Sequence, residues 1–310
     1  MSVPDKYDAH AGALSADSKK NYEKLLNDYT SSLPSYWKFE IVPNFFKQSD
    51  EATDPLSFNY LKEDFGRVLS WEETFSKLSE LNSNASEDES YKVFFLARHG
   101  QGYHNLANSV YGQKEWDRKW SKLNGDGKMV WGPDPELTDL GVSQAVDNNH
   151  VWKEQIKKGC KLPTKWFSSP FTRSVDTLIH TWKDIIDLQK EKPLIKEDFR
   201  ETMGVHTCDK RSTRSFIASK YEPKGFVIED GFAEEDIYFK DDYRETIEEQ
   251  SIRLNRSFQF IFDNYDDEVI NVTSHSGSIR SQLLVLNHRP FAIGTGGMIP
   301  VFVKATKVKN

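Results

Sequence analysis

Val93-Phe94-Phe95-Leu96-Ala97-Arg98-His99-Gly100 is the stretch that decides how this chain folds. Its five apolar residues run on without the alternation of a half-solvated strand, the pattern of a strand buried on both faces of a sheet. In open α/β sheets ligands collect beyond the carboxyl ends of the strands. Arg98, His99 and Gly100 stand at such an end, and Asn105, five residues past the glycine, is a further candidate phosphate contact.

Two later segments repeat the arrangement. Trp166-Phe167-Ser168-Ser169 reads as a short strand followed by Pro170, which suits the first turn of a helix, and Arg173 lies about one turn further on. Val269-Ile270-Asn271-Val272-Thr273 reads as another strand, running into Ser274-His275-Ser276-Gly277 and a helical stretch from Ser278 to Leu286. A helix start offers free N–H groups and a partial positive charge, so the amides of Ser276 and Gly277 are candidate anion ligands. Three strand ends thus supply Arg98, His99, Arg173 and His275 to one place.

Over about residues 91–306 the ordered motifs resemble those of the histidine phosphatase superfamily, the phosphoglycerate-mutase-like fold. The R-H-G strand end is Arg98-His99-Gly100, and the S-P-x-x-R motif runs from Ser169 to Arg173. The strand end carrying the family's acid is matched by Phe199-Arg200-Glu201, and the second histidine by His275. The L-T-x-x-G-x-x-Q-A stretch that opens a helix is Leu137 to Ala145. R-H-G-Q-G-Y-H-N and H-T-C-D-K-R make the fungal phosphomutase-like proteins the most similar group within the superfamily. The resemblance implies a three-layer α/β sandwich: a mostly parallel central sheet with helices on both faces.

It also implies roles that chemistry explains. Arg98 and Arg173 neutralise the phosphate with planar, permanently charged, bidentate donors. Neutral His99 attacks phosphorus through one ring nitrogen while the other donates to a backbone carbonyl. His275, if protonated, adds a donor to the equatorial oxygens. Glu201 protonates the leaving alkoxide and then takes a proton from water, with Glu197 and Asp198 as alternative acids if the alignment slips. This division of labour calls for no metal and no cofactor.

Other residues carry weaker signals. His104 is read as lining or capping the pocket. His206-Thr207-Cys208-Asp209-Lys210-Arg211 is either a substrate-edge contact through His206 and Lys210 or a plain loop with a helix cap at Asp209. His10, His150, His180 and His288 are given surface or packing roles, since none stands at metal-ligand spacing from a carboxylate or cysteine. Thr295-Gly296-Gly297 reads as a turn before a last strand, Ile299 to Lys304.

At 310 residues the chain is long enough for one α/β domain with an extension. Residues 91–310 are expected to form the catalytic domain, and residues 1–90 an amino-terminal extension packed on it, because Tyr36, Trp37, Phe39, Phe45 and Phe46 are too apolar for disorder. In that extension Lys19 to Leu33 is expected to be helical, Ser70-Trp71-Glu72-Glu73 resembles a capping box opening a helix through Leu81, and 82–90 reads as a linker or loop. The Trp-bearing insertion between Gly112 and Pro135 is either a pocket wall or a packed loop. Residues 221–244, acidic and aromatic, are a candidate lid whose acidic face disfavours highly charged substrates, followed by a helix from Tyr243 to Tyr265.

Two cysteines give no disulfide framework and point to a reducing compartment. Without an apolar signal core or a membrane-length apolar run, a cytoplasmic location is expected, with nuclear entry open. A net charge of −7 argues against nucleic acid as the main partner. The expected ligand is a small phosphorylated metabolite, with neither nucleic acid nor membrane as partner; the oligomeric state is left open. Hydrolysis is favoured over mutase chemistry because mutases close a carboxyl-terminal tail over the site, whereas this chain stops at Asn310, soon after its last strand. A catalytically weak binding protein of the same fold is the third reading, disfavoured by the complete residue set.

Overall fold

The computed structural model describes residues 4–310. Helices α1 (Lys6–Gly12) and α2 (Ala16–Ser31) precede strand β1 (Ser35–Ile41), and α3 (Trp71–Ser83) leads into β2 (Glu89–Arg98). After α4 (Tyr103–Tyr111), α5 (Gln113–Arg118) and α6 (Asp139–Lys157) come β3 (Lys165–Ser168), α7 (Thr172–Trp182), α8 (Leu188–Glu191) and β4 (Leu194–Ile195). The chain continues through α9 (Arg214–Tyr221), β5 (Val227–Ile228), α10 (Ile247–Asn264), β6 (Val269–Ser274), α11 (Ser276–Val285) and β7 (Met298–Lys309). Among the described residues these strands form one seven-stranded sheet, ordered β1-β7-β2-β6-β3-β4-β5.

The apolar run in β2 has two covered faces. Phe94 meets Phe258 and Phe262 of α10 on one side, while Phe95 meets Trp71 of α3 and Trp152 of α6 on the other. Both phenylalanines are fully buried, so truncating either to alanine should destabilise by about 3–5 kcal/mol. Helices α2 and α11 flank α10, and α7 packs on α6, which completes the three layers. β2, β6, β3, β4 and β5 run parallel, and only β7 opposes its neighbours.

Register brings the chemistry together. Arg98 is paired with Ser274, and Ser168 with Thr273, so the carboxyl ends of β2, β6 and β3 finish side by side. His99, His275 and Ser169 each follow one of these ends directly.

Several local expectations need adjusting. β1, unanticipated, adds residues of the amino-terminal stretch to the edge of the sheet against β7. Pairing with β1 and β2 also carries β7 to Lys309, past the expected Lys304. The stretch 82–90 is a loop only at its centre, since α3 runs to Ser83 and β2 starts at Glu89, and Asn82 donates to the Tyr91 carbonyl (3.0 Å) and accepts from its N–H (2.8 Å), tying the end of α3 to β2. Pro170 lies outside α7, whose first amide is capped by distant Asp134 (Thr172 N to Oδ1, 2.8 Å). α10 begins at Ile247 instead of Tyr243, because Thr246 and Glu249 form a capping box there. Glu201 does not sit on a strand end; β4 is two residues long, and a 3-10 turn, Glu197–Phe199, intervenes.

Candidate active site

His99 is 2% exposed, and its Nδ1 lies 2.6 Å from the carbonyl of Gly100. That contact needs a proton on Nδ1, which leaves the lone pair on Nε2. Burial, then the Arg173 and Arg98 guanidiniums, hold the imidazole well below its ordinary pKa, so the ring is neutral. Arg173, fully buried on the first turn of α7, points Nε at His99 Nε2 (3.4 Å). It is anchored through Nη1 to the Cys208 carbonyl (2.9 Å) and through Nη2 to Asp209 Oδ1 (3.2 Å).

His275 is the N-cap of α11, its ring centroid 5.0 Å from that of His99. Its Nε2 lies 2.7 Å from Ser169 Oγ, and its Nδ1 is buried without a partner among the described residues. Burial, and then Arg173, push its pKa well down, so the condition set on its donor role, a protonated ring, is disfavoured and the neutral ring is the form to reason from. His104 is a third buried imidazole, 5.4 Å from His99 between ring centroids and likewise pushed down by burial and by Arg173.

A cavity of about 440 Å³ adjoins this cluster, walled in part by Arg98, His104, Glu201, His206, Arg244 and Ser276. His99, Arg173 and His275 sit behind that wall. Glu201 Oε2 accepts from the Gly277 amide (3.1 Å) at the start of α11, and Oε1 accepts from Thr202 N (2.9 Å). The approach is close enough that a Cβ on Gly277 would lie 2.3 Å from Glu201 Oε1. The two alternative acids lie elsewhere: Glu197 is held by Arg200 and Arg211, Asp198 faces Arg256 and Ser257, and both line a separate cavity.

The outer candidates divide. Asn105 and His206 line the cavity, with Asn105 Oδ1 also accepting from Gly102 N (2.9 Å), and burial, then Arg244, press His206 down to about 4. Gly100 and Lys210 are engaged elsewhere, which corrects both as substrate contacts. The Gly100 amide is committed to Thr177 Oγ1 (2.9 Å), and its Cα is pressed so near α6 that a Cβ would meet the Gly141 carbonyl at 2.3 Å. Lys210 reaches outward over the ring of Phe239. In the 112–135 insertion, Trp116 and Trp131 form a small second core, and Trp116 reaches the cavity.

Asp209 is not a helix cap. Its buried carboxylate bridges Arg173 and Arg244, the latter at 2.8 Å, and although burial alone would raise its pKa, the two guanidiniums outweigh that and hold it below the ordinary 3.8. The ligand atoms of His206, Cys208 and Asp209 lie within 4.8 Å of one another, but two arginines on the one carboxylate oppose a cation there. Residues 221–244 correct the acidic-lid expectation in the same way. Asp236 is turned inward onto Arg200 (2.6 Å) and Glu229 onto Lys196 (2.7 Å), while the side chain this segment gives the cavity is cationic Arg244.

Sequence reasoning missed one whole wall: α1 places Tyr7, Asp8, His10 and Ala11 at the cavity, and Asp8 forms an ion pair with Arg98 Nη1. The D-x-x-D pattern of Asp5 and Asp8 signals a capped helix, but nothing in it points to a partner ninety residues on.

Residues 94–295 match the histidine phosphatase superfamily, branch 1. The chain is 38% identical over 285 residues to a probable phosphoglycerate mutase of Arthroderma benhamiae, spanning 86% of this chain and 84% of that one. It is 37% identical over 279 residues to phosphomutase-like protein 3 of Candida albicans, spanning 88% and 81%. To the probable phosphoglycerate mutase PMU1 of Saccharomyces cerevisiae it is 35% identical over 288 residues, spanning 85% and 95%.

Proposed function

The chain belongs to the histidine phosphatase superfamily, branch 1, and on that premise we propose that it hydrolyses small phosphate monoesters through a phosphohistidine on His99. The observation that carries this reading is the state of the His99 ring: neutral, its Nδ1 proton tied to the Gly100 carbonyl, its Nε2 turned to Arg173. A nucleophile on phosphorus needs an unprotonated ring nitrogen beside a cation that offsets the charge of the phosphoryl group, and the long 3.4 Å contact from Arg173 Nε is the one His99 Nε2 exchanges for phosphorus.

In the first step the Nε2 lone pair bonds to phosphorus and the ester P–O bond breaks. The Glu201 carboxyl gives its proton to the departing alkoxide. Arg98 and Arg173 hold the equatorial oxygens, and His275 donates to them from a neutral ring. In the second step the Glu201 carboxylate takes a proton from water, the water oxygen bonds to phosphorus, and the P–N bond breaks. Inorganic phosphate leaves, and His99 and the Glu201 proton are restored. No step draws on a metal.

One observation favours a second reading, phosphoryl return to an acceptor hydroxyl. Water exclusion is what a mutase needs, and His99 is almost wholly enclosed. A panel of sugar phosphates, nucleotides, glycerate phosphates and aryl phosphates, with free phosphate and isomerised product both measured, separates the two. Phosphate as the dominant product supports hydrolysis; isomer in excess of phosphate overturns it.

A further inference from the structure

Asp8 occupies the arginine that the proposed reaction needs. Its Oδ1 pairs with Arg98 Nη1, which also donates to the Ile293 carbonyl (2.6 Å), and the Asp8 and Arg98 side chains are 15% and 6% exposed. Among the described residues Asp8 is the carboxylate that Arg98 pairs with, and Arg98 Nε is buried without a partner. Asp8 thus sets a negative charge on the guanidinium toward which a phosphoryl group must move.

The helix that carries Asp8 is short and depends on its neighbours. Seven residues are too few for a helix to persist alone in water, where about 12–15 are needed. Within α1 only Gly12 is buried, seated so closely that a Cβ on it would meet Ala292 Cα at 3.0 Å. Beyond that, the Ala11 carbonyl accepts from Arg280 Nη1 (3.1 Å). At the other end Asp5 caps the helix: its Oδ1 accepts from Tyr7 N (2.8 Å) and Asp8 N (3.0 Å), and Asp5 N donates to Asp8 Oδ2 (3.0 Å). Pro4 before the helix is buried and Leu14 after it packs on the core, so α1 is tethered at both ends and the bond to Arg98 fixes its middle over the cavity.

We propose that α1 is an internal competitor, with the Asp8 carboxylate standing on Arg98 in the place of a substrate phosphoryl oxygen, so that productive binding requires Asp8 to leave. The inference rests on the assignment of Arg98 to the phosphoryl group made above. Two anions on one guanidinium repel, and the dianionic phosphoryl group wins by its greater charge. When Asp8 comes away, α1 loses its link to Arg98, so phosphoryl binding and the closure of the cavity wall become opposing states of one element.

The test needs no turnover. Binding of inorganic phosphate to the full chain is measured by titration calorimetry for wild type, Asp8→Asn and Asp5→Asn. If Asp8 holds Arg98 about nine-tenths of the time, its neutralisation should tighten phosphate about tenfold, because apparent affinity scales with the competent fraction. In Asp8→Asn the side-chain amide oxygen can still accept from the Asp5 N–H, so the helix cap survives the change. Asp5→Asn removes the same charge from the same cavity without touching Arg98, and should tighten phosphate less than about twofold. Equal or weaker phosphate binding by Asp8→Asn overturns the proposal, and so does equal tightening by Asp5→Asn, which would make net charge the cause. A wild type that binds phosphate but turns over no ester defeats the hydrolase reading and leaves this result standing.

Discussion

Asp209→Asn separates a positioning role from a bystander's. The substitution keeps the shape of the side chain and removes the one negative charge shared by Arg173 and Arg244. Asp209 is 3% exposed and the Arg173 side chain fully buried, so the change leaves a desolvated guanidinium short of its counter-ion. Breaking one side of a buried pair costs about 3–5 kcal/mol, and the Arg244 side chain, 30% exposed, recovers part of that from water. We expect about 3 kcal/mol, and a fall in Tm of about 5 °C for a chain of this size. The sign with pH follows from the depressed pKa. Asp209 contributes stability above its ordinary 3.8 and loses it as pH falls through the lower folded value, so the gap between wild type and variant should close only in strong acid. Arg173 keeps its bond to the Cys208 carbonyl but loses its orientation toward His99, so kcat should fall about 10- to 100-fold while KM stays level, the mark of an interaction made mainly in the transition state. Scanning calorimetry and steady-state kinetics on one preparation read both quantities. A variant that melts within a degree of wild type, or whose loss lies wholly in a raised KM, refutes the reasoning.

Glu201→Gln should slow the first step, read as single-turnover release of alcohol, far more with an alkyl phosphate than with nitrophenyl phosphate, since a nitrophenolate leaves without a proton; equal slowing of that first step with both esters would remove Glu201 from the acid role. His99, His104 and His275 all have folded pKa values pushed well below 6.5, so stability should be full above that pH and decline below it. With His206 and His288, both pressed to about 4, unfolding takes up about five protons well below pH 6.5, a limiting slope of about 7 kcal/mol per pH unit, and a flat unfolding free energy between about pH 7 and 5.5 contradicts the buried, neutral imidazoles.

The parts legible in the sequence are those whose signal is local. An unbroken apolar run sets β2 between two layers, and the residues after it have to lie at a strand end. The Thr138 cap of α6 and the Ser70 capping box of α3 are readable within four residues. What escapes depends on partners far along the chain. In β1, Trp37 and Phe39 are buried while Lys38 and Glu40 are exposed, a period of two that is present but short, and its pairing with β7 spans most of the sequence. Asp209 reads as a cap because a lone aspartate before a polar stretch usually is one; its partners, Arg173 and Arg244, lie 36 and 35 residues away. Lys210, beside it, reads as a substrate ligand through proximity in sequence, yet the turn Thr207–Asp209 sends the two side chains to different places.

The central claim is a covalent bond between phosphorus and His99. Rapid acid-free quench of wild type with a phosphorus-labelled ester, followed by peptide mass spectrometry at alkaline pH, should place an acid-labile phosphoryl group on His99, and Glu201→Gln should accumulate it from nitrophenyl phosphate because the second step loses its base. Label on Ser276, on His104 or on His275, or turnover without any trapped phosphoryl-enzyme in wild type and variant alike, would contradict it.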